Sequence, residues 1–320
     1  MIQTDFHCYW TGPLTLHHVL CLSSLVDTQK ICNRVHFWTE RGDFHKLASF
    51  LSESGFSKGQ KVVVPHVYDL DAEILGTPLE GKANMIRRIR QERGLQYYSD
   101  AFRLLILFKY GGIYFDLDVL FIKDLTPVVT DEAGQLLDFV YEWEITGRCN
   151  NAVMGVQAPR RDNLRDLLQT GIKIESFAPW DLFPVEEARK HRFAVLPWQL
   201  FDPLWGPHKF VPHCQSFEDF FKGDAGKFVN ESHQILLNEA FPGAYTHHWH
   251  NSWDVPIEEH PRSLAFQFLK MFRPAVLDRA LTRHKHRKKL LLYASLSSVS
   301  LSCVVALVTL SFLLKMIGNR

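Results

Sequence analysis

The apolar positions change period several times along this chain, and the changes mark out its elements. Phe6 to Trp10, Arg34 to Trp38 and Val62 to Pro65 are short runs that read as strands, the first closed by Thr11-Gly-Pro13. Between the first two, Pro13 to Leu25 carries apolar residues at helical spacing. Ala83 to Arg93 reads as a basic helix stopping near Gly94. Ser99 to Tyr110 reads as a strongly apolar helix, with Ser99 as its N-cap and Gly111-Gly112 as its stop. Ile113 to Leu117 follows as a strand, then Asp138 to Glu142 and Ala152 to Val156, and Arg161 to Thr170 returns to helical spacing. Strands alternating with helices predict an α/β domain over residues 1–260, a mostly parallel sheet flanked by helices.

The pattern shifts after residue 260. Within an amphipathic and basic segment, 261–289, Leu264, Phe268, Leu269 and Phe272 fall on one helical face. That face suits either a membrane surface or a last helix packed on the domain. Leu290 to Leu314 then contains no charged residue. As a helix it would span about 37 Å, more than the ~30 Å hydrocarbon core, so the segment is expected to be a single transmembrane anchor. The basic run Arg283-His-Lys-His-Arg-Lys-Lys289 precedes it, and only Lys315 and Arg320 follow. The positive-inside rule therefore places the N-terminal domain on the cytoplasmic side. The N-terminus has neither the basic start nor the apolar run of a signal peptide.

Composition narrows the class. The chain has 320 residues, 46% hydrophobic and 22% charged, with a net charge of +1, so its overall charge gives no reason to expect nucleic-acid binding. Six scattered cysteines form no C-x-x-C pair, which argues against a zinc knuckle or a redox site and favours a reducing compartment. The lone sequon at Asn230-Glu-Ser232 is short enough to arise by chance.

The chemistry concentrates around residues 98–118. Asp116 and Asp118 end a strand in Asp-x-Asp. Residues two apart on a strand point the same way, so both carboxylates can approach one Mg²⁺ or Mn²⁺ carrying a diphosphate. Asp100 and Arg103, three apart in a helix flanked by Ala101, Phe102, Leu104 and Leu105, form a buried pair suited to gripping sugar hydroxyls or a phosphate. The run Tyr245-Thr-His-His-Trp-His-Asn-Ser-Trp253 reads either as a closing loop that adds a ligand and an aromatic wall, or as a packed aromatic turn. Trp10, at the end of the first strand, is either core or a base-stacking surface.

Together these residues resemble the glycosyltransferase family with the sugar-binding D-x-D region. Its members include capsule enzymes, α-1,4-galactosyltransferases, outer-chain mannosyltransferases and inositolphosphoceramide mannosyltransferases. The strongest likeness is Ser99-Asp-Ala-Phe-Arg103 through Tyr110-Gly-Gly-Ile-Tyr-Phe-Asp-Leu-Asp118. The opening Phe6 to Leu14, Asn150-Asn-Ala-Val-Met-Gly155, and His247-His-Trp-His-Asn-Ser-Trp253 follow in the family's order. The resemblance implies a GT-A fold, a nucleotide-diphosphate sugar donor, Mn²⁺ or Mg²⁺, and hexose transfer with retained configuration to a glycan, glycolipid or lipid-linked acceptor. It implies that Asp118 holds the metal and Asp116 the ribose or the metal, and that Asp100 and Arg103 grip the donor sugar. Tyr114 and Trp10 would border the nucleotide, Asn150 and Asn151 the sugar. His247 or His248, with Ser252 and Trp253, would close over the diphosphate. Against the family's eukaryotic Golgi members, which usually have an N-terminal anchor, the anchor here is expected at the C-terminal end, and Pro179-Trp-Asp-Leu-Phe-Pro184 stands where many members have Gly-Pro.

With no clearly placed nucleophile beyond the candidates Glu142 and Glu144, front-face transfer is expected. Two rivals are a catalytically inactive, membrane-tethered binding protein of the same fold and a D-x-D phosphohydrolase. Asp100, Arg103, Asp116, Asp118 and the His/Trp loop all occurring together speak against the first. Leu120, where the hydrolases usually carry a small hydroxyl residue, speaks against the second.

Overall fold

The computed structural model describes residues 2–57, 62–143, 146–204, 214, 216–225, 239–250 and 254–291. The chain divides into two compact units, Met1–Arg273 and Pro274–Arg320.

In the first unit the strands are β1 (Thr4–Tyr9), β2 (Cys32–Thr39), β3 (Val63–Val67), β4 (Gly112–Phe115), β5 (Val119–Phe121), β6 (Phe139–Glu142), β7 (Cys149–Val156), β8 (Ala194–Leu196) and β9 (Thr246–His248). The helices are α1 (Leu16–Thr28), α2 (Phe44–Glu53), α3 (Leu70–Glu73), α4 (Ala83–Arg93), α5 (Leu95–Tyr110), α6 (Thr126–Val129), α7 (Asp162–Ile174), α8 (Pro179–Leu182), α9 (Val185–Lys190), α10 (Phe217–Lys222) and α11 (Leu264–Phe272). Among the described residues seven strands form one sheet in the order β3-β2-β1-β4-β7-β6-β8, and β5 pairs with β9 in a separate ribbon. Within the large sheet β7 alone runs antiparallel to its neighbours β4 and β6. The other pairings are parallel, as the alternating pattern predicts.

Helix α5 and strand β4 position everything that follows. The apolar run of α5 is buried from Ala101 to Phe108. The helix begins four residues earlier than expected, at Leu95. Ser99 is an interior residue whose hydroxyl donates to the Gln96 carbonyl, 2.8 Å away, and is no N-cap. The break is made by Gly94, whose φ of +101° ends α4 and starts α5 in a conformation that side chains rarely adopt. At the other end Gly112, with φ +90°, lets β4 press against β1: a Cβ there would lie 2.3 Å from the Asp5 carbonyl oxygen.

Helix α11 settles one of the open readings. Leu264, Ala265, Phe266, Phe268 and Leu269 are buried, and Arg273 at its end pairs with Asp27 at 2.9 Å. It is the last helix of the first unit, packed on α1, so the membrane-surface reading of this stretch is corrected. The second unit begins with a helix over 274–291. Apart from Leu290 and Leu291, the expected anchor 290–314 lies outside the described residues. Among the described residues no helix is long and apolar enough to cross a membrane.

Candidate active site

Strand β4 is fully buried between β1 and β7, and Asp116 and Asp118 follow its C-terminal end. The Asp116 amide donates to the Ala152 carbonyl at 2.7 Å, and the Trp249 amide donates to the Asp118 carbonyl at 3.0 Å. The second contact belongs to the β5–β9 ribbon, whose register sets Val119 opposite His248. That register brings the His248 Nε2 to 3.2 Å from the Asp118 Oδ1. Alternation along β9 sends the preceding residue the other way. His247 is buried among Phe217, Phe220 and Phe241, with ring centroids 4.8 Å from Phe241, and neither of its ring nitrogens has a hydrogen-bond partner among the described residues. The expectation of His247 as a metal ligand is therefore corrected: it belongs to an aromatic cluster, and burial pushes its imidazole well below the usual range.

Arg103 is the hub of the other half of the site. Its Nη1 donates to the Asn151 carbonyl at 2.9 Å, to Asn151 Oδ1 at 2.7 Å and to Asp116 Oδ2 at 3.2 Å. Its Nη2 lies 3.1 Å from Asp116 Oδ1 and 3.3 Å from Asp100 Oδ1. The guanidinium sits over the Tyr114 ring at 4.6 Å, and the Tyr114 hydroxyl donates to Asp116 Oδ1 at 2.7 Å. Such a planar fork fixes a carboxylate in orientation as well as in charge. Arg103 thus grips Asp116 rather than standing open to solvent.

Charge in so buried a site is costly, and it displaces the protonation of the groups there. Burial pushes Asp100 up to about 7 against the opposing pull of Arg103. Burial also raises Asp116, again opposed by Arg103. Burial alone would depress His248, yet Asp118 and Asp202 together hold it at about 9, so at neutral pH it is an imidazolium facing Asp118.

These groups line a cavity of about 430 Å³ with Tyr9, Trp10, Thr11, Ser99, Asn150, Asn151, Trp143 and Trp180. Trp10 donates its indole N–H to the Pro13 carbonyl at 3.1 Å and meets His18 edge-on. Asn150 Oδ1 accepts from the Ala152 amide at 2.8 Å. The structure thus brings together Trp10, Asp100, Arg103, Tyr114, Asp116, Asp118, Asn150, Asn151 and His248. Ser252, Trp253 and Glu144 lie outside the described residues. Glu142 is not among the residues lining the cavity.

Asp202 escapes sequence reading. It follows the short turn Trp198–Leu200 with no pattern around it, yet it is buried, hydrogen-bonds His250, and lies 3.8 Å from His248 Nδ1. His250 stacks on His248 with centroids 3.8 Å apart. Two overlapping groups result, Asp116–Asp118–His248 and Asp202–His248–His250, each offering three ligand atoms within 4.8 Å of one another. Two carboxylates and an imidazole are a donor set that fits Mn²⁺, whereas Mg²⁺ would use the two carboxylates alone. Once the Nε2 proton is released to an incoming cation, His248 can serve the first group through Nε2 while Nδ1 faces Tyr141 and Asp202.

No curated protein matches the chain. Solved structures resemble it at low identity. PaToxG glycosyltransferase is 15% identical at a TM-score of 0.44, over 59% of this chain and 68% of that one. Mouse xyloside xylosyltransferase 1 in its apo form is 14% identical at 0.44, over 80% and 100%. The glycosyltransferase GlyE of Streptococcus pneumoniae is 11% identical at 0.44, over 89% and 64%. The family model that matches is the glycosyltransferase sugar-binding region containing the DXD motif, over residues 37–135, a span that holds α5, β4 and both aspartates. Residues 37–135 are thus the DXD-containing sugar-binding region of a glycosyltransferase.

Proposed function

We propose that the protein is a metal-dependent, retaining hexosyltransferase of GT-A type. It would move a sugar from a nucleoside-diphosphate donor to a glycan, glycolipid or lipid-linked acceptor at a membrane. The observation that carries this is the meeting of Asp116, Asp118 and His248 on the floor of one cavity, at the end of a strand where open α/β sheets bind their ligands.

Asp116, Asp118 and the Nε2 of His248 would hold Mn²⁺, or the two carboxylates alone Mg²⁺. A divalent cation there supplies positive charge against the diphosphate as the sugar–oxygen bond breaks. The chain's own residues do the rest. Arg103 keeps the Asp116 carboxylate oriented through both of its oxygens, so no reorganisation is needed when the donor arrives. Trp10 borders the nucleobase, and Asp100, Asn150 and Asn151 face the sugar. The transfer would proceed by front-face attack, with the leaving phosphate taking the acceptor's proton; of the two glutamate candidates, Glu142 does not line the cavity and Glu144 lies outside the described residues. The uncharged stretch 290–314 and the basic run before it support a single-pass anchor with the catalytic domain on the cytoplasmic side.

The test is slow release of nucleoside diphosphate from nucleotide sugars by the full chain with Mn²⁺ and no acceptor. Release that is abolished in Asp118→Ala is the expected result. Wild-type release in that variant places the metal elsewhere, and no release from any nucleotide sugar by the wild type rejects the function.

A further inference from the structure

The rim of the cavity is ordered by the sheet beneath it. Across the strands β1, β4, β7 and β6, the residues meeting the rim run Trp10 after β1, Asp116 and Asp118 after β4, Asn150 and Asn151 at the start of β7, and Trp143 after β6. An indole therefore stands at each end, with the charged centre between them.

The two ends differ in their neighbours. Trp10 leans on the imidazole of His18, beside the Tyr9 and Thr11 backbone. Trp143 instead faces a second indole, Trp180, in the first turn of α8, with ring centroids 6.1 Å apart and planes inclined at 45°. Tyr97 meets Trp180 edge-on at 5.5 Å and is capped by Arg93 at 4.1 Å, which fixes the indole from behind. Leu95 and Pro179 complete this end. Both indoles are half-buried, so one part of each is packed and the remainder meets the cavity.

Two inclined aromatic faces, beside which the Arg93 guanidinium is paired with Asp181 at 3.7 Å, suit a neutral pyranose. The axial C–H groups on a face of its ring carry partial positive charge and complement the negative face of an indole, while its equatorial hydroxyls project from the edge. The side chains are already held by their neighbours, so little rotamer freedom is lost on binding. The charged centre is taken by the diphosphate and the Trp10 end by the base. The geometry points to Trp143 and Trp180 as the platform on which the acceptor sugar lies, its edge hydroxyls directed towards the donor. This rests on the glycosyltransferase reading and adds the chemical class and position of the second substrate: a neutral hexopyranose at the β6 side of the site.

The test uses the full chain in detergent with Mn²⁺ and uridine or guanosine diphosphate. The probes are methyl α- and β-glycosides of galactose, glucose and mannose, followed by saturation-transfer NMR. At least one glycoside is expected to bind the wild type, with transfer concentrated on the C–H groups of one ring face. Trp180→Ala and Trp143→Ala should each weaken it about tenfold, equivalent to ~1.4 kcal/mol. Trp180→Phe should retain most of the affinity and Trp180→Leu should not. That pair decides the matter even if an alanine variant fails to fold. No binding to the wild type, wild-type affinity in both alanine variants, or full affinity in Trp180→Leu overturns the platform. Nucleoside-diphosphate release by the wild type is measured separately. Its failure rejects the transferase reading, whereas release together with any of those three outcomes rejects the platform alone.

Discussion

The pair Gly111-Gly112 ties the family pattern to a measurable cost. Replacing Gly112 by alanine puts a Cβ 2.3 Å from the carbonyl oxygen of Asp5, well inside the ~3.5 Å of an ordinary contact, so β1 and β4 would have to part by about 1 Å. Overpacking of this kind costs about 1–3 kcal/mol. The φ of +90° adds about 1–2 kcal/mol for a residue with a side chain. The sum, about 2–5 kcal/mol, is a large share of the ~5–15 kcal/mol that stabilises a domain. Gly134 is the control: its φ is +74°, but nothing lies within 4 Å of an added Cβ, so Gly134→Ala should show the backbone strain alone, about 1–2 kcal/mol. Urea denaturation of both variants, followed by circular dichroism, isolates the steric part. Because β4 carries both aspartates at its end, donor hydrolysis by Gly112→Ala should also fall at temperatures where the variant is still folded. If Gly112→Ala is no more destabilised than Gly134→Ala, the close approach of β4 to β1 is not what the glycine serves.

Three further outcomes are expected. Asp202→Asn should weaken Mn²⁺ binding roughly 10–100-fold, as loss of a carboxylate behind a metal-binding imidazole does; Mn²⁺ titration by EPR checks this, and an unchanged affinity would mean that Asp202 does not orient His248. In chelator the His248 imidazole, raised from 6.5 to about 9, contributes stability that is complete below pH 6.5 and disappears as pH rises through 9. This amounts to at most about 3 kcal/mol, so melting curves of the metal-free wild type should drop over that window and those of His248→Gln should stay flatter. Arg103→Lys keeps the charge but loses the fork to Asp116 and Asn151, and should cost about 1–3 kcal/mol while lowering donor hydrolysis; equal stability in denaturant would show that charge alone suffices.

Much of this architecture is legible from spacing. The strands through Val35, Val64 and Phe115 and the helices through Ile89 and Phe102 sit where the apolar periods put them, because each buries one face or is buried on both sides. Ends were less legible. The start of α5 is set by the backbone of Gly94, not by the polar side chain of Ser99, and no periodicity encodes that choice. At the site, the D-x-D pair and Arg103 announce themselves because their chemistry is local in the sequence. Adjacent histidines do not: only the register of β5 with β9 decides that His248 faces Asp118 and His247 the phenylalanines. Asp202, Trp143 and Trp180 reach the site through long-range packing, which the local pattern around each of them does not encode. Leu264 to Phe272 has the same amphipathic pattern whether it covers α1 or a lipid surface, so the pattern left that choice open.

The ribbon of β5 and β9 pairs Val119 with His248, 129 residues later, and this has a temporal consequence. A growing polypeptide completes its acidic pair early, while the imidazole that closes the ring of donors is translated far later. Until that late strand pairs with β5, the nascent chain carries the two carboxylates without their imidazole, so the three-group cluster is complete only once nearly the whole first unit has been made.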